Sequence, residues 1–160
     1  MTKNIFVILV LISSSCFASG QIGRLGVGMA NQLVTNTPTL SMKLQRNRSS
    51  ALGGIFGLDS SSEGSFYALG LKYYRLIYEE PQLNFYSAFS GAFFTYENTA
   101  GDSDAGNQFD GVFGTEFSFQ GLESVGFSFE FGMRYYNYED ETHIATTGYN
   151  FISSAIHFYL

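Results

Sequence analysis

Large apolar residues alternate with mostly small or polar residues in two neighbouring stretches of this chain. The odd positions read Phe109, Gly111, Phe113, Thr115, Phe117 and Phe119, and then Phe127, Phe129, Phe131, Met133 and Tyr135. The even positions include the charged residues Glu116, Glu130 and Arg134. Successive side chains of a strand point to opposite faces, so the pattern predicts two strands that each have one apolar and one polar face.

The charges on the polar face decide between two kinds of sheet. A soluble sheet would bury the phenylalanine face in a core and turn the other face to water. Charges interleaved with glycine and serine instead suit a narrow polar lumen, with lipid against the phenylalanines. We therefore expect the phenylalanines to point outward and the charges to be enclosed.

The same two-residue period extends over most of the chain and predicts one continuous meander of eight strands. The predicted strands are 22–32, 38–47, 50–58, 65–77, 82–96, 107–119, 124–138 and 147–160. The longer connections, expected at one end, are Leu33–Thr37, Asp59–Gly64, Glu97–Gly106 and Glu139–Thr146. Outer-membrane barrels have an even strand number, short periplasmic turns and longer external loops. The sequence therefore predicts an all-β fold, an eight-stranded antiparallel up-and-down transmembrane β-barrel.

Residues 1–20 have the composition of a cleavable signal peptide. Lys3 precedes the apolar run 5–12, and small residues allow cleavage after Ala18 or Gly20. Cys16, the only cysteine, lies in this segment, so the mature chain is expected to have no disulfide. Residues 21–160 would then form the barrel domain, with both termini in the periplasm. Lipidation of Cys16 is the less favoured alternative.

Composition and charge narrow the class of protein further. Aromatic residues make up 18% of the chain and many fall near predicted strand ends, as in the aromatic girdles of membrane barrels. Aromatic packing in a soluble β-sandwich is the alternative explanation. The formal net charge is −6, and removal of Lys3 with the signal peptide makes it −7. Nucleic-acid binding needs a basic surface and is not expected.

Five charged residues fall on the face assigned to the lumen. They are Lys43, Lys72, Glu116, Glu130 and Arg134. Side chains fill an eight-stranded barrel, and a buried charge without a partner is costly. We expect a structural ionic network in which Glu116 and Glu130 pair with Arg134 and one or both lysines. A path for protons or ions is the alternative.

The pattern resembles the small eight-stranded outer-membrane barrels of Gram-negative bacteria, the OmpA- and OmpX-type group. The resemblance is carried by the signal peptide, the strand pattern, the hairpin-like segment 121–132 and the final segment 149–160, in which Ile156, Phe158 and Leu160 alternate with other residues. It implies insertion by the barrel-assembly machinery, which reads the last strand. We also expect contact with outer-membrane lipid and lipopolysaccharide, a monomeric protein, and no cofactor. The family commonly ends on an aromatic residue, whereas this chain ends on Leu160.

The expected function is a structural or surface-interaction role through the external loops, with a ligand that the sequence does not identify. Porin-like architecture is expected, but side chains would close a lumen of this size. One alternative is a soluble, lipocalin-like periplasmic barrel that binds an apolar ligand. Another is a lipid A-modifying enzyme. His143 is expected in an external loop and His157 inside the barrel, and no serine–histidine signature accompanies them, so no catalytic residue is assigned.

One acidic segment holds oxygen ligands at alternating positions. Asp102, Asp104, Asn107 and Asp110 resemble part of a calcium loop but lack the remaining ligands. We interpret the segment as a solvated loop and assign no metal to it.

Overall fold

The computed structural model describes residues 22–35, 37–62, 64–98, 102–138, 141–148 and 152–160. The predicted signal peptide and Cys16 lie outside these ranges. Nine strands are described: β1 (Leu25–Ala30), β2 (Thr39–Asn47), β3 (Ser50–Ser61), β4 (Gly64–Glu80), β5 (Leu83–Asn98), β6 (Ser103–Phe119), β7 (Leu122–Tyr138), β8 (Glu141–Thr146) and β9 (Ser153–Tyr159). The described ranges contain no helix with the length and hydropathy needed to cross a bilayer.

The strands close into an eight-stranded antiparallel barrel, which confirms the predicted all-β barrel architecture. Each strand from β1 to β7 pairs with the next, and β9 pairs with both β7 and β1 to complete the ring. β8 pairs with Met133–Tyr138 of β7, whereas β9 pairs with Val125–Glu130 of the same strand. β8 and β9 are therefore two parts of one interrupted eighth strand.

The prediction was wrong about where this last strand begins. Residues 139–146 were expected to form a loop, but Glu141–Thr146 is a strand, and the next described strand begins at Ser153. His143 consequently lies on a strand and not in a loop. β6 also begins at Ser103, earlier than the predicted residue 107, so Asp104 lies on a strand and not in a loop. Asn107 and Asp110 lie on the same strand, so their interpretation as part of a solvated loop was wrong.

The two faces of the wall are chemically opposite, as the alternation predicts. Phe109, Phe113, Phe129 and Phe131 point outward and are 40–53% exposed. Glu116 and Arg134, on the other face of the same strands, are 2% and 5% exposed. Every strand has at least one large apolar side chain exposed on the outer surface.

The strands end close together at one end of the barrel, whereas at the other end some strands extend further than others. At the turn end, short turns join β2 to β3, β4 to β5 and β6 to β7. At the other end, called here the loop end, β1 and β2 stop pairing at Ala30 and Thr39, whereas β3 and β4 remain paired out to Ser61 and Gly64. Beyond the closed ring, β3 to β8 therefore continue as an open sheet, and no described strand lies between β3 and β8 there.

Candidate functional site

Three ion pairs lie in the lumen among the residues that the structure describes, and the first joins Lys43 of β2 to Glu116 of β6. Lys43 Nζ lies 2.6 Å from Glu116 Oε2, and both side chains are almost fully buried. Tyr159 donates its hydroxyl proton to the other carboxylate oxygen at 2.8 Å, and the Ser128 hydroxyl donates to Oε2 at 3.1 Å. These bonds replace the water that the carboxylate loses on burial.

The second pair joins Lys72 of β4 to Glu130 of β7, with Nζ and Oε2 2.5 Å apart. The side-chain amide of Gln32 donates to Glu130 Oε2 at 2.8 Å, and the Tyr86 hydroxyl donates to Oε1 at 2.8 Å. Gln32 is not on a barrel strand, so Glu130 also fixes a residue that follows β1.

The third pair differs from the one expected from the sequence. Arg134 Nε donates to Asp110 Oδ1 at 2.8 Å, and no bond joins Arg134 to Glu116 or Glu130 among the described contacts. The Gln108 side chain also donates to Asp110, at 2.7 Å. Asp110 and Arg134 stand directly opposite each other on β6 and β7. Asp110 occupies an even position of the same alternation as Arg134, but its interpretation as part of a solvated acidic loop left it out of the predicted network.

Aromatic rings and glycines fill the space between the ion pairs. Lys43 Nζ lies 4.8 Å and Lys72 Nζ 5.1 Å from the centre of the Tyr74 ring, close enough for cation–π attraction. A Cβ atom added to Gly114 would lie 2.7 Å from Tyr86 Cζ, and one added to Gly126 would lie 3.0 Å from Tyr159 Cε2. The tyrosines fit inside the ring because glycines face them.

The residues after β1 turn into the barrel and cover the ion pairs at the loop end. The carbonyl of Gln32 accepts hydrogen bonds from both Arg134 and Gln108. Leu33 is 1% exposed and packs in one buried apolar cluster with Ile55, Phe66 and Phe94. The lumen is therefore a packed, charge-balanced interior with an apolar cover.

At the turn end the lumen opens into a polar vestibule of about 530 Å³. Its lining includes Arg24, Arg48 and Glu80, and Glu116 of the first ion pair also borders it. Because Lys43 and Tyr159 already bind Glu116, the vestibule ends at a paired carboxylate.

The two histidines occupy very different surroundings. Ser41 Oγ lies 2.9 Å from His157 Nε2, a serine–histidine contact that the sequence analysis missed because the residues are far apart in the chain. Both residues are 1% exposed, and His157 Nδ1 has no hydrogen-bond partner in the described structure. Nucleophilic catalysis needs substrate access and a third group that orients the base, and this buried contact shows neither. His143 instead stacks on Tyr136, with ring centres 4.8 Å apart.

Groups of three or more histidine, cysteine or carboxylate side chains arranged to hold a metal are not found within the described residues. Asp102, Asp104, Asn107 and Asp110 do not form such a group. Asp110 binds Arg134 instead.

An aromatic cavity of about 350 Å³ lies at the loop end, above the covered lumen. We call it the aromatic cup; its side-chain walls include Phe66, Phe94, Tyr96, Tyr136, Tyr138 and His143. Neighbouring rings touch: the centres of Phe66 and Phe94 are 6.1 Å apart, and those of Phe94 and Tyr138 are 5.9 Å apart. Val34 and Thr35, from the connection after β1, complete the lining.

Neither models of known protein families nor curated proteins match this chain. The resemblance to small outer-membrane barrels therefore depends on the strand pattern and the barrel geometry alone.

Proposed function

We propose that this chain is a monomeric outer-membrane β-barrel whose loop end faces outward and provides a surface-interaction site. The observation that carries the proposal is the band of exposed apolar side chains around the ring. Soluble monomers rarely expose contiguous apolar patches of more than a few hundred Å². A surface of this kind around a closed barrel suits contact with lipid acyl chains.

The height of the wall supports the same placement. A strand needs about 9–11 residues to cross a bilayer, whereas β4, β6 and β7 have 17 residues each. The excess lies at the loop end, where β3 to β8 form the open sheet. In the proposed orientation this sheet projects beyond the membrane and exposes its residues to external ligands.

The packed lumen argues against the lipocalin-like alternative. A lipocalin holds its ligand inside the ring, but here three ion pairs and buried tyrosines occupy that position in the described structure. The lipid A-modifying alternative has only the Ser41–His157 contact in its favour, and that contact is buried.

Cysteine labelling in intact cells tests the membrane orientation. Ser103→Cys lies at the loop end and Gln120→Cys at the turn end, and both positions are exposed. A membrane-impermeant maleimide should label Ser103→Cys in intact cells and Gln120→Cys only after the outer membrane is opened. The unsubstituted protein is the control for labelling of Cys16, the only cysteine in its sequence. Labelling of both sites in intact cells, or of neither, would contradict the proposed topology.

Heat treatment tests whether the protein is a closed barrel in the outer membrane. Protein recovered from the outer-membrane fraction should migrate differently on a detergent gel before and after boiling, because the closed ring resists the detergent until heated. Release of the protein with the soluble periplasmic fraction would favour the lipocalin-like alternative.

A further inference from the structure

Phe66 and Phe94, at the base of the aromatic cup, pack with Leu33 in the apolar cover of the lumen, whereas Tyr96, Tyr136 and His143 line the cup outside that buried cluster. We propose that the cup binds a small organic cation that carries an alkylated ammonium group. This deepens the proposed surface-interaction role and rests on it only for the side of the membrane that the cup faces.

The aromatic rings of the cup are suited to a cation. The face of an aromatic ring is electrostatically negative and attracts cations within about 6 Å of its centre, and cages of several rings are suited to alkylated ammonium groups. Five of the cup's side chains are phenylalanine or tyrosine, contributed by β4, β5 and β7. Tyr136, Tyr138 and His143 are only partly buried, so the cup is accessible from outside.

Three carboxylates stand opposite aromatic residues of the cup in the strand register. Residues that pair across an antiparallel ladder project to the same face. Asp59 stands opposite Phe66, Asp104 opposite Tyr96, and Glu141 opposite Tyr138. Three carboxylates therefore share the inner face with the aromatic lining.

Lysines and arginines are positioned elsewhere, and the basic side chain that does line the cup, His143, has its Nε2 3.5 Å from a Glu141 carboxylate oxygen. Apart from Lys3, outside the described residues, the sequence has seven lysines and arginines: Arg24, Lys43, Arg46, Arg48, Lys72, Arg75 and Arg134. The cup lining includes none of them. Arg134 is the one nearest in sequence to the cup residues of β7, and it already pairs with Asp110. The local charge therefore favours a cation over an anion.

The volume sets the size of the ligand. A water molecule occupies about 30 Å³ of the liquid, so a cavity of this volume accommodates about a dozen non-hydrogen atoms. Choline and similar alkylammonium ions fit within that volume.

Binding of choline chloride and of 3,3-dimethylbutan-1-ol to the purified, folded protein tests the proposal. The alcohol has the shape of choline but carbon in place of the charged nitrogen. The titrations should use a sugar-headgroup detergent, because a detergent with a choline headgroup would compete. We expect ligand-observed NMR to show choline binding about tenfold more tightly than the alcohol, since cation–π attraction in a desolvated site is of that order.

Variants locate the binding. Tyr136→Leu should weaken choline binding about tenfold, whereas Tyr135→Leu, its outward-facing neighbour, should not change it. Asp59→Asn combined with Asp104→Asn should weaken binding and reduce its dependence on salt, since salt screens exposed charges. Glu80→Gln, an exposed carboxylate at the turn end, is the matched control. Tyr96→Leu replaces Tyr136→Leu if that variant does not fold.

Three outcomes would overturn the proposal: no saturable choline binding, equal binding of choline and the alcohol, or choline binding that Tyr136→Leu and Tyr96→Leu both leave intact. Equal binding would indicate a site for neutral apolar molecules. Because purified protein is used, none of these results bears on the membrane orientation, which the cysteine labelling tests separately.

Discussion

At the scale of single residues, the buried charges are stable because each carboxylate has a cation and further hydrogen-bond donors. Glu116 accepts from Lys43, Tyr159 and Ser128, and Glu130 has a comparable set of donors. In a buried pair, the loss of one partner costs more than the pair contributes, because the remaining charge stays desolvated. This asymmetry gives a direct test of the pairing.

Lys43→Met should destabilise the barrel by about 3–5 kcal/mol, because Glu116 would remain buried without its cation. The double variant Lys43→Met/Glu116→Gln should recover most of that loss. The chain has no tryptophan, so urea unfolding in vesicles is best followed by gel mobility of the folded form. Equal stability of the single and double variants would contradict the coupling.

Glycine substitutions test the packing of the lumen. Gly114→Ala should destabilise by about 1–3 kcal/mol, since its methyl group would overlap Tyr86 and Glu130. Gly54→Ala is the matched control, because no atom lies within 4 Å of an added Cβ there. The same urea assay should show that variant at least as stable as the unsubstituted protein. A loss at Gly54 as large as that at Gly114 would point to a general effect of replacing strand glycines.

At the scale of strands, the outward-facing side chains distinguish a barrel in a bilayer from a barrel in water. Leu71 is 74% exposed near the middle of β4, whereas Ile77 is 53% exposed close to the turn end. In a bilayer these two positions would lie at different depths, but in water they would be equivalent.

Leu71→Arg should therefore destabilise the protein in vesicles by about 2–4 kcal/mol, and Ile77→Arg by about 0–1 kcal/mol. In a soluble barrel both substitutions would lie within about 0.5 kcal/mol of the unsubstituted protein. Urea midpoints in vesicles distinguish the two cases, and similar midpoints for both variants would contradict a lipid-facing Leu71.

The strands were predictable wherever one face meets the lumen and the other is apolar, and this covers most of the ring. The alternation disappears in β8, where Ile144 is the single large apolar outward residue between Glu141 and Thr146. In the proposed orientation this strand lies beyond the bilayer, so nothing requires an apolar outer face there. Hydrophobic periodicity therefore predicts a loop at this strand.

The pairing of Asp110 with Arg134 needed information that hydrophobic periodicity lacks. Phe119 stands opposite Leu122 at the turn, and an unbroken register from there would set Asp110 opposite Phe131. A register irregularity between Phe117 and Phe119 shifts the pairing, so that both phenylalanine faces point outward and Asp110 meets Arg134. The sequence indicated which residues face inward, but the irregularity determines which of them touch.

At the scale of the whole molecule, the ion pairs and the cover formed after β1 make the barrel a solid body and not a pore. Reconstituted in planar bilayers, the protein should show no stable conductance of porin size, because side chains fill the ring. The protein from the heat-treatment experiment is suitable for this measurement, with a known porin as the positive control. Porin-sized steps would contradict the closed lumen.

The ring is completed by its shortest strand. β1 has six residues and meets β9 through five paired positions, from Gly26 with Tyr159 to Ala30 with Ala155. Without the pairing of β1 with its neighbours, β2 and β9 would become edge strands. The unpaired backbone groups of edge strands readily pair with strands from other chains. Pairing of the six β1 residues with β9 therefore determines whether the chain forms a closed cylinder or a curved open sheet that is prone to aggregation.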